Sequence, residues 1–146
     1  MTLKLEIKKL REDAILPKRG SDSSAGYDLY ACIDEDLRID PGETIKIGTG
    51  LAIAIPEGYF GGIFARSGLA TKNGLRPANC VGVCDSDYRG EYIIAIHNDS
   101  NEVQTIKQGD RIAQLVIIPF LAVDFEPVDE LNDTSRGKGG FGSTGI

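Results

Sequence analysis

Tyr92-Ile93-Ile94-Ala95-Ile96-His97 leads into Asn98-Asp99-Ser100-Asn101, and a little later Gln108-Gly109-Asp110 leads into Arg111-Ile112-Ala113-Gln114-Leu115-Val116-Ile117-Ile118. Each apolar run has the length and the β-branched content of a strand, and each gap is made of residues that turn a chain. The same grammar extends outward. Leu3, Leu5 and Ile7 alternate with Lys4, Glu6 and Lys8, and Leu51 to Ile55 and Leu121 to Val128 are further strand-like runs. Pro41-Gly42 and Pro56-Glu57-Gly58 punctuate them. Many short strands at close spacing predict an all-β sandwich or barrel. A single short helix is expected around Ser67 to Lys72, and no internal repeat is visible.

At 146 residues the chain suits one domain with its own core. No apolar run is long enough to span a bilayer, and the alternating N-terminus resembles neither a signal nor a transit peptide, so a cytoplasmic protein with no membrane partner is expected. The net charge of −6 argues against a general nucleic-acid binder, whose affinity comes from neutralising phosphates. It leaves room for a small phosphorylated ligand, because charges beyond roughly 8 Å are largely screened and the local cluster decides. Cys32, Cys80 and Cys84 are an odd set, which speaks against a disulfide framework. Cys80 and Cys84 read as lying in one strand, where residues four apart are roughly 13 Å apart, too far for one zinc ion.

Four segments carry groups suited to chemistry. Ala65-Arg66-Ser67-Gly68-Leu69-Ala70 offers a cation, a hydroxyl and a glycine at a helix start. It is either an N-cap at Ser67 beside a surface arginine or a phosphate cradle. Gly82 to Glu91, GVCDSDYRGE, reads as a hairpin between strands Asn79–Cys84 and Glu91–His97. Its loop is either a polar turn or a pocket in which a carboxylate takes a proton from water and a tyrosine walls a sugar. Gln114 places a long amide in an apolar strand, where it needs a partner, either structural or in a ligand. Thr134 to Ile146, TSRGKGGFGSTGI, is too glycine-rich to pack as a strand. It is either a loose terminus or a lid presenting Phe141, Arg136, Lys138, Ser143 and Thr144 to a planar anion. Its G-x-G-x-x-G match is empty, since no strand precedes it and no helix can follow.

Taken in order, these segments resemble the five motifs of the trimeric dUTPase (dUTP diphosphatase) family. Ala25 to Ala31 (AGYDLYA), Ala65 to Ala70, Asn79 to Gly90, Gly109 to Leu115 and Arg136 to Gly145 match them across nearly the whole chain. The resemblance implies a distorted β jelly-roll or barrel over residues 1–132 and a flexible glycine-rich lid over 133–146. It further implies a homotrimer in which the tail of one chain closes a site formed by its neighbours. About a dozen extended residues reach roughly 40 Å, enough for such an exchange. The implied reaction is Mg²⁺-dependent hydrolysis of dUTP to dUMP and pyrophosphate by water attack on the α-phosphorus. It would keep uracil out of DNA and supply dUMP for dTMP synthesis.

Carried over residue by residue, Asp85 would be the base, and Arg66, Ser67, Gly68 and Gln114 would hold phosphates. Asn79, with the backbone of Val83, Cys84 and the strand near Ile93, would read uracil. Tyr88 would exclude a 2′-hydroxyl, Phe141 and Gly142 would cover the base, and Arg136, Ser143 and Thr144 would meet the terminal phosphate. Asp28 would support Mg²⁺ only indirectly. Two departures stand out: Ala65 replaces a frequent proline, and Cys84 replaces an aliphatic residue and places a thiol within reach of oxidants beside the base. The nearest rival with the same fold is a dCTP deaminase; a rival of another kind is a nucleotide-gated binding scaffold.

Overall fold

The computed structural model describes residues 2–145. It is all-β apart from one short helix. The strands are β1 (Glu6–Lys9), β2 (Lys18–Arg19), β3 (Tyr27–Tyr30), β4 (Leu37–Ile39), β5 (Thr44–Gly48), β6 (Leu51–Ala54) and β7 (Tyr59–Phe64). Helix α1 (Ser67–Asn73) precedes β8 (Leu75–Pro77), β9 (Gly82–Cys84), β10 (Ile93–Asn98), β11 (Gln104–Ile106) and β12 (Arg111–Pro119).

The strands form a distorted jelly-roll barrel of four antiparallel sheets. The largest runs β2-β3-β12-β7-β9; a second runs β5-β10-β8; β1 with β6 and β4 with β11 make two pairs. Burial alternates along the strands. Along β10, Ile94 and Ile96 are buried while Ile93 is exposed, and on β5 Ile47 is fully buried while Thr44 and Lys46 are exposed. Leu29, Ile39, Ile47 and Ile96, each from a different strand, meet Ile112 and Leu115 of β12 in one core. Helix α1 ends where expected for a short turn of helix. Gly74 adopts φ +67 and its N–H caps the carbonyls of Ala70 and Leu69, a conformation that glycine takes without Cβ strain.

Three expectations need correction. The segment Gly82 to Glu91 is not a hairpin: β9 pairs with β7, whereas β10 pairs with β5 and β8, so the loop crosses from one sheet to another. Cys80 is not in a strand; it sits in a turn at φ +62, exposed to solvent. Leu121 to Val128 forms no strand, because no edge within the same chain pairs with it. Leu121 (84% exposed), Phe125 (92%) and Leu131 (85%) instead stand out in solvent.

Candidate active site

The central strand β12 organises one half of the site. Its register places Gln114 opposite Asp28 of β3 on one side and Phe64 of β7 on the other. Two residues past β7, Arg66 folds back so that its Nε lies 3.0 Å from Asp28 Oδ1, and Arg111 Nη1 lies 3.6 Å from Oδ2. The Asp28–Arg66 pair is mostly withdrawn from water, so loss of either partner would leave a poorly solvated charge. Gln114 Nε2 donates to Ala65 O at 2.8 Å and thereby fixes the turn that delivers Arg66. Gly26 makes room for that amide: a Cβ there would lie 2.2 Å from Gln114 Oε1.

Arg66, not Ser67, is the N-cap of α1, in extended conformation and with no side chain capping the helix start. Ser67 and Gly68 are exposed in the first turn, and a Cβ on Gly68 would meet nothing within 4 Å. Packing within the chain therefore does not require glycine at 68. These groups line an open cleft of about 940 Å³ holding Asp28, Arg66, Ser67, Gly68, Arg111 and Gln114. Uncapped N–H groups beside two guanidinium groups suit an anion with several oxygens.

A second cavity, of about 260 Å³, gathers Asn79, Val83, Cys84, Asp85, Tyr88 and Ile93 over a floor that includes Tyr92. Asp85 leaves β9 into a turn closed by the Tyr88 N–H donating to its carbonyl at 3.2 Å, and its carboxylate is exposed. Tyr88 is held at both ends. Its hydroxyl donates to Glu91 O at 2.8 Å, and its ring lies 6.1 Å from that of Tyr92. Burial pushes the Cys84 thiol up from its ordinary value, with Tyr92 offsetting part of the shift. Burial therefore favours the protonated thiol. The Tyr92 hydroxyl is buried without a conventional hydrogen-bond partner, beside Cys84, and burial drives its pKa far above the tyrosine range.

The two clefts share no lining residue. Nor does the tail join either of them within the chain. Phe141 is fully exposed at φ +51, and the turns around Arg136, Gly142, Ser143 and Thr144 bond only within the tail. A metal centre built from protein alone does not fit. Among the described residues no three His, Cys, Asp or Glu side chains converge, and Asp28 is engaged by Arg66 and Arg111. The donor set that suits a hard divalent ion is the oxygens of a polyphosphate ligand, with Asp28 at most behind it. Sequence reasoning missed Arg111, Gly26 and Tyr92 as parts of these clefts. Arg111 and Gly26 fall inside segments already singled out, but an aromatic such as Tyr92, buried just before a core strand, has no periodic signature to separate it from ordinary packing.

Comparison with known proteins gives a consistent neighbourhood. The dUTPase family model matches residues 12–145. A deoxyuridine 5'-triphosphate nucleotidohydrolase of Desulfitobacterium hafniense is 49% identical over 99% of this chain and 98% of its own. That of Nautilia profundicola is 50% identical over 98% and 99%. Among solved structures, the Staphylococcus bacteriophage 80alpha dUTPase with dUPNHPP superposes with a TM-score of 0.90 at 33% identity, covering 99% of this chain and 100% of that one. A dUTPase from phage phi11 of S. aureus, described with a structural Mg(II) ion, superposes with a TM-score of 0.78 at 30% identity, over 88% of this chain and 98% of its own.

Proposed function

The chain belongs to the dUTPase family, and from that premise we propose that it hydrolyses dUTP to dUMP and pyrophosphate at sites completed by neighbouring copies in a homotrimer. The observation that carries this reading is the small cavity in which an amide, a carboxylate and a tyrosine face one another (Asn79, Asp85 and Tyr88).

In this reading the uracil edge meets Asn79 and the backbone of β9 and the start of β10, in a space walled by Val83, Cys84 and Ile93. A fixed pattern of donors and acceptors rejects cytosine, because the mismatch would leave buried polar groups unpaired. The absence of spare volume rejects the methyl of thymine. Tyr88 packs against the deoxyribose. Asp85 orients a water and accepts its proton as the water oxygen bonds to the α-phosphorus. The bond from that phosphorus to the bridging oxygen of the β-phosphate breaks, and pyrophosphate leaves with the electron pair. Arg66, Ser67, Gly68 and Gln114 of another copy hold the phosphate chain, and the tail, with Phe141 and Gly142 over the base and Arg136, Ser143 and Thr144 at the terminal phosphate, shuts out bulk water. Mg²⁺ carried on the phosphate oxygens would supply charge neutralisation for the leaving group.

Two features support assembly. The clefts are separate within one chain, and the strap after β12 exposes Leu121, Phe125 and Leu131 with no cover of its own. The test is pyrophosphate release from dUTP, dTTP, dCTP and UTP with Mg²⁺, together with ammonia release from dCTP. Preferential pyrophosphate release from dUTP is expected; ammonia from dCTP would make the chain a deaminase instead. The sugar wall has its own test. Tyr88→Ala should raise kcat/KM for UTP relative to dUTP by about ten-fold or more. Unchanged discrimination would assign the guard of the sugar to another residue.

A further inference from the structure

We infer that Arg76 is a positioning residue for base recognition, a brace that holds the turn carrying Asn79 and so sets affinity and selectivity for the nucleobase. The inference rests on the proposed role of Asn79, and it concerns a residue outside both clefts.

The geometry begins at a buried amide. Asn98, with no exposed surface, donates through Nδ2 to Ile39 O at 3.0 Å and to Glu102 O at 2.8 Å, and its Oδ1 accepts from Ser100 N–H and Oγ. Its neighbour Asp99 is tied by its own N–H to Gly74 O at 2.8 Å. The Asp99 carboxylate is thus mounted on a rigid corner of the fold. It receives Arg76 Nε in a short ion pair and lies 3.3 Å from His97 Nε2. On the far side of the ring, His97 Nδ1 meets Thr44 Oγ1 at 2.8 Å. Thr44, His97 and Arg76 are register partners across β5, β10 and β8, so the row runs straight across one sheet.

Nη2 of Arg76 also donates to Asp99, at 3.4 Å to Oδ1, whereas Nη1 reaches in the opposite direction. Nη1 donates to Pro77 O at 3.1 Å and to Ala78 O at 3.4 Å, and lies 3.9 Å from Cys80 Sγ. These atoms frame Asn79. The turn they frame is one that a chain would not hold unaided. Cys80 is a non-glycine residue at φ +62, a left-handed conformation that a residue with a Cβ adopts only under strain. Its N–H bonds to the same Pro77 carbonyl that Arg76 grips, and Val81 N–H closes onto Asn79 O at 2.6 Å. A planar fork with one arm on a fixed carboxylate and another on two carbonyls is a task for arginine. A lysine, with a single point of charge, can keep the ion pair but cannot span both sides. Asn79 itself is exposed, and among the described residues no side-chain hydrogen bond orients it otherwise. Its aim therefore depends on the backbone beneath it.

The test compares the full-length wild type with Arg76→Ala and Arg76→Lys in steady-state pyrophosphate release from dUTP and dCTP, with melting temperatures alongside. The expected result is a KM for dUTP raised about ten-fold, kcat within about two-fold of wild type, and selectivity for dUTP over dCTP reduced by about ten-fold. A purely structural role would lower the melting temperature without altering the ratio between the two substrates. Should Arg76→Ala fail to fold, Arg76→Lys decides, since it keeps the charge opposite Asp99 but loses the fork. Wild-type KM and selectivity in a folded variant would overturn the inference while leaving dUTP hydrolysis in place. A wild-type chain that releases no pyrophosphate from dUTP would overturn the functional reading, and this inference with it.

Discussion

Asp85→Asn is expected to bind dUTP with an affinity near that of the wild type and to turn it over about 10²–10⁴-fold more slowly. Asparagine has the shape of aspartate but cannot accept the proton that water must lose. The side chain of Asp85 is exposed at the mouth of its cavity and packs against nothing that the change would disturb, so stability should move by no more than about 0.5 kcal/mol. The turn that positions it is made by backbone groups, Tyr88 N–H to Asp85 O, and survives the substitution. Single-turnover pyrophosphate release and calorimetric titration with dUTP separate the two quantities. A variant with wild-type kcat would remove the carboxylate from the chemistry. One that neither binds nor turns over would make it a binding group.

Removing residues 136–146 is expected to leave a folded, assembled protein with kcat/KM for dUTP lowered by about 10²-fold or more. Among the described residues the truncation touches no core. The last strand ends at Pro119, the turns from Thr134 to Gly145 bond within themselves, and Phe141 lies wholly in solvent. What is lost is the aromatic cover, two cations and two hydroxyls that would exclude water and fix the terminal phosphate, effects that come from positioning rather than from new chemistry. Melting temperature and sedimentation velocity report on fold and assembly, and the nucleotide assay reports on closure. Full activity after truncation would make the tail dispensable, and an unfolded product would make it structural.

Much of the fold was legible because short β-branched or alternating runs bounded by turn residues mark strands: Leu51 to Ile55, in which Leu51, Ile53 and Ile55 are buried and Ala52 and Ala54 half-buried, can be read without coordinates. The helix after β7 was also legible, from Ser67 through Lys72. Pairing was not. Nothing in Gly82 to Glu91 tells a hairpin from a crossover, because the turn residues are the same; the decision is made by β7 and β5, which offer edges from far away in the chain. The strap at Leu121 to Val128 has strand composition, and composition cannot say whether a partner edge exists. The candidate site was legible as groups of residue types. Its division into two cavities was not, since adjacency across β3, β12 and β7 is a matter of register. The Arg76 brace left no trace in the sequence either, as arginine before proline in a short strand looks like any surface cation.

The separation of the two cavities has a consequence for inheritance and for mixing experiments. If each working centre draws its proton acceptor from one polypeptide and its guanidinium cradle from another, two alleles that are each silent can rescue one another. A copy defective at Asp85 still lends a sound cradle, and a copy defective at Arg66 still lends a sound carboxylate. Co-expressing the pair would regenerate some intact centres in every mixed particle, whereas two lesions on the same polypeptide would regenerate none.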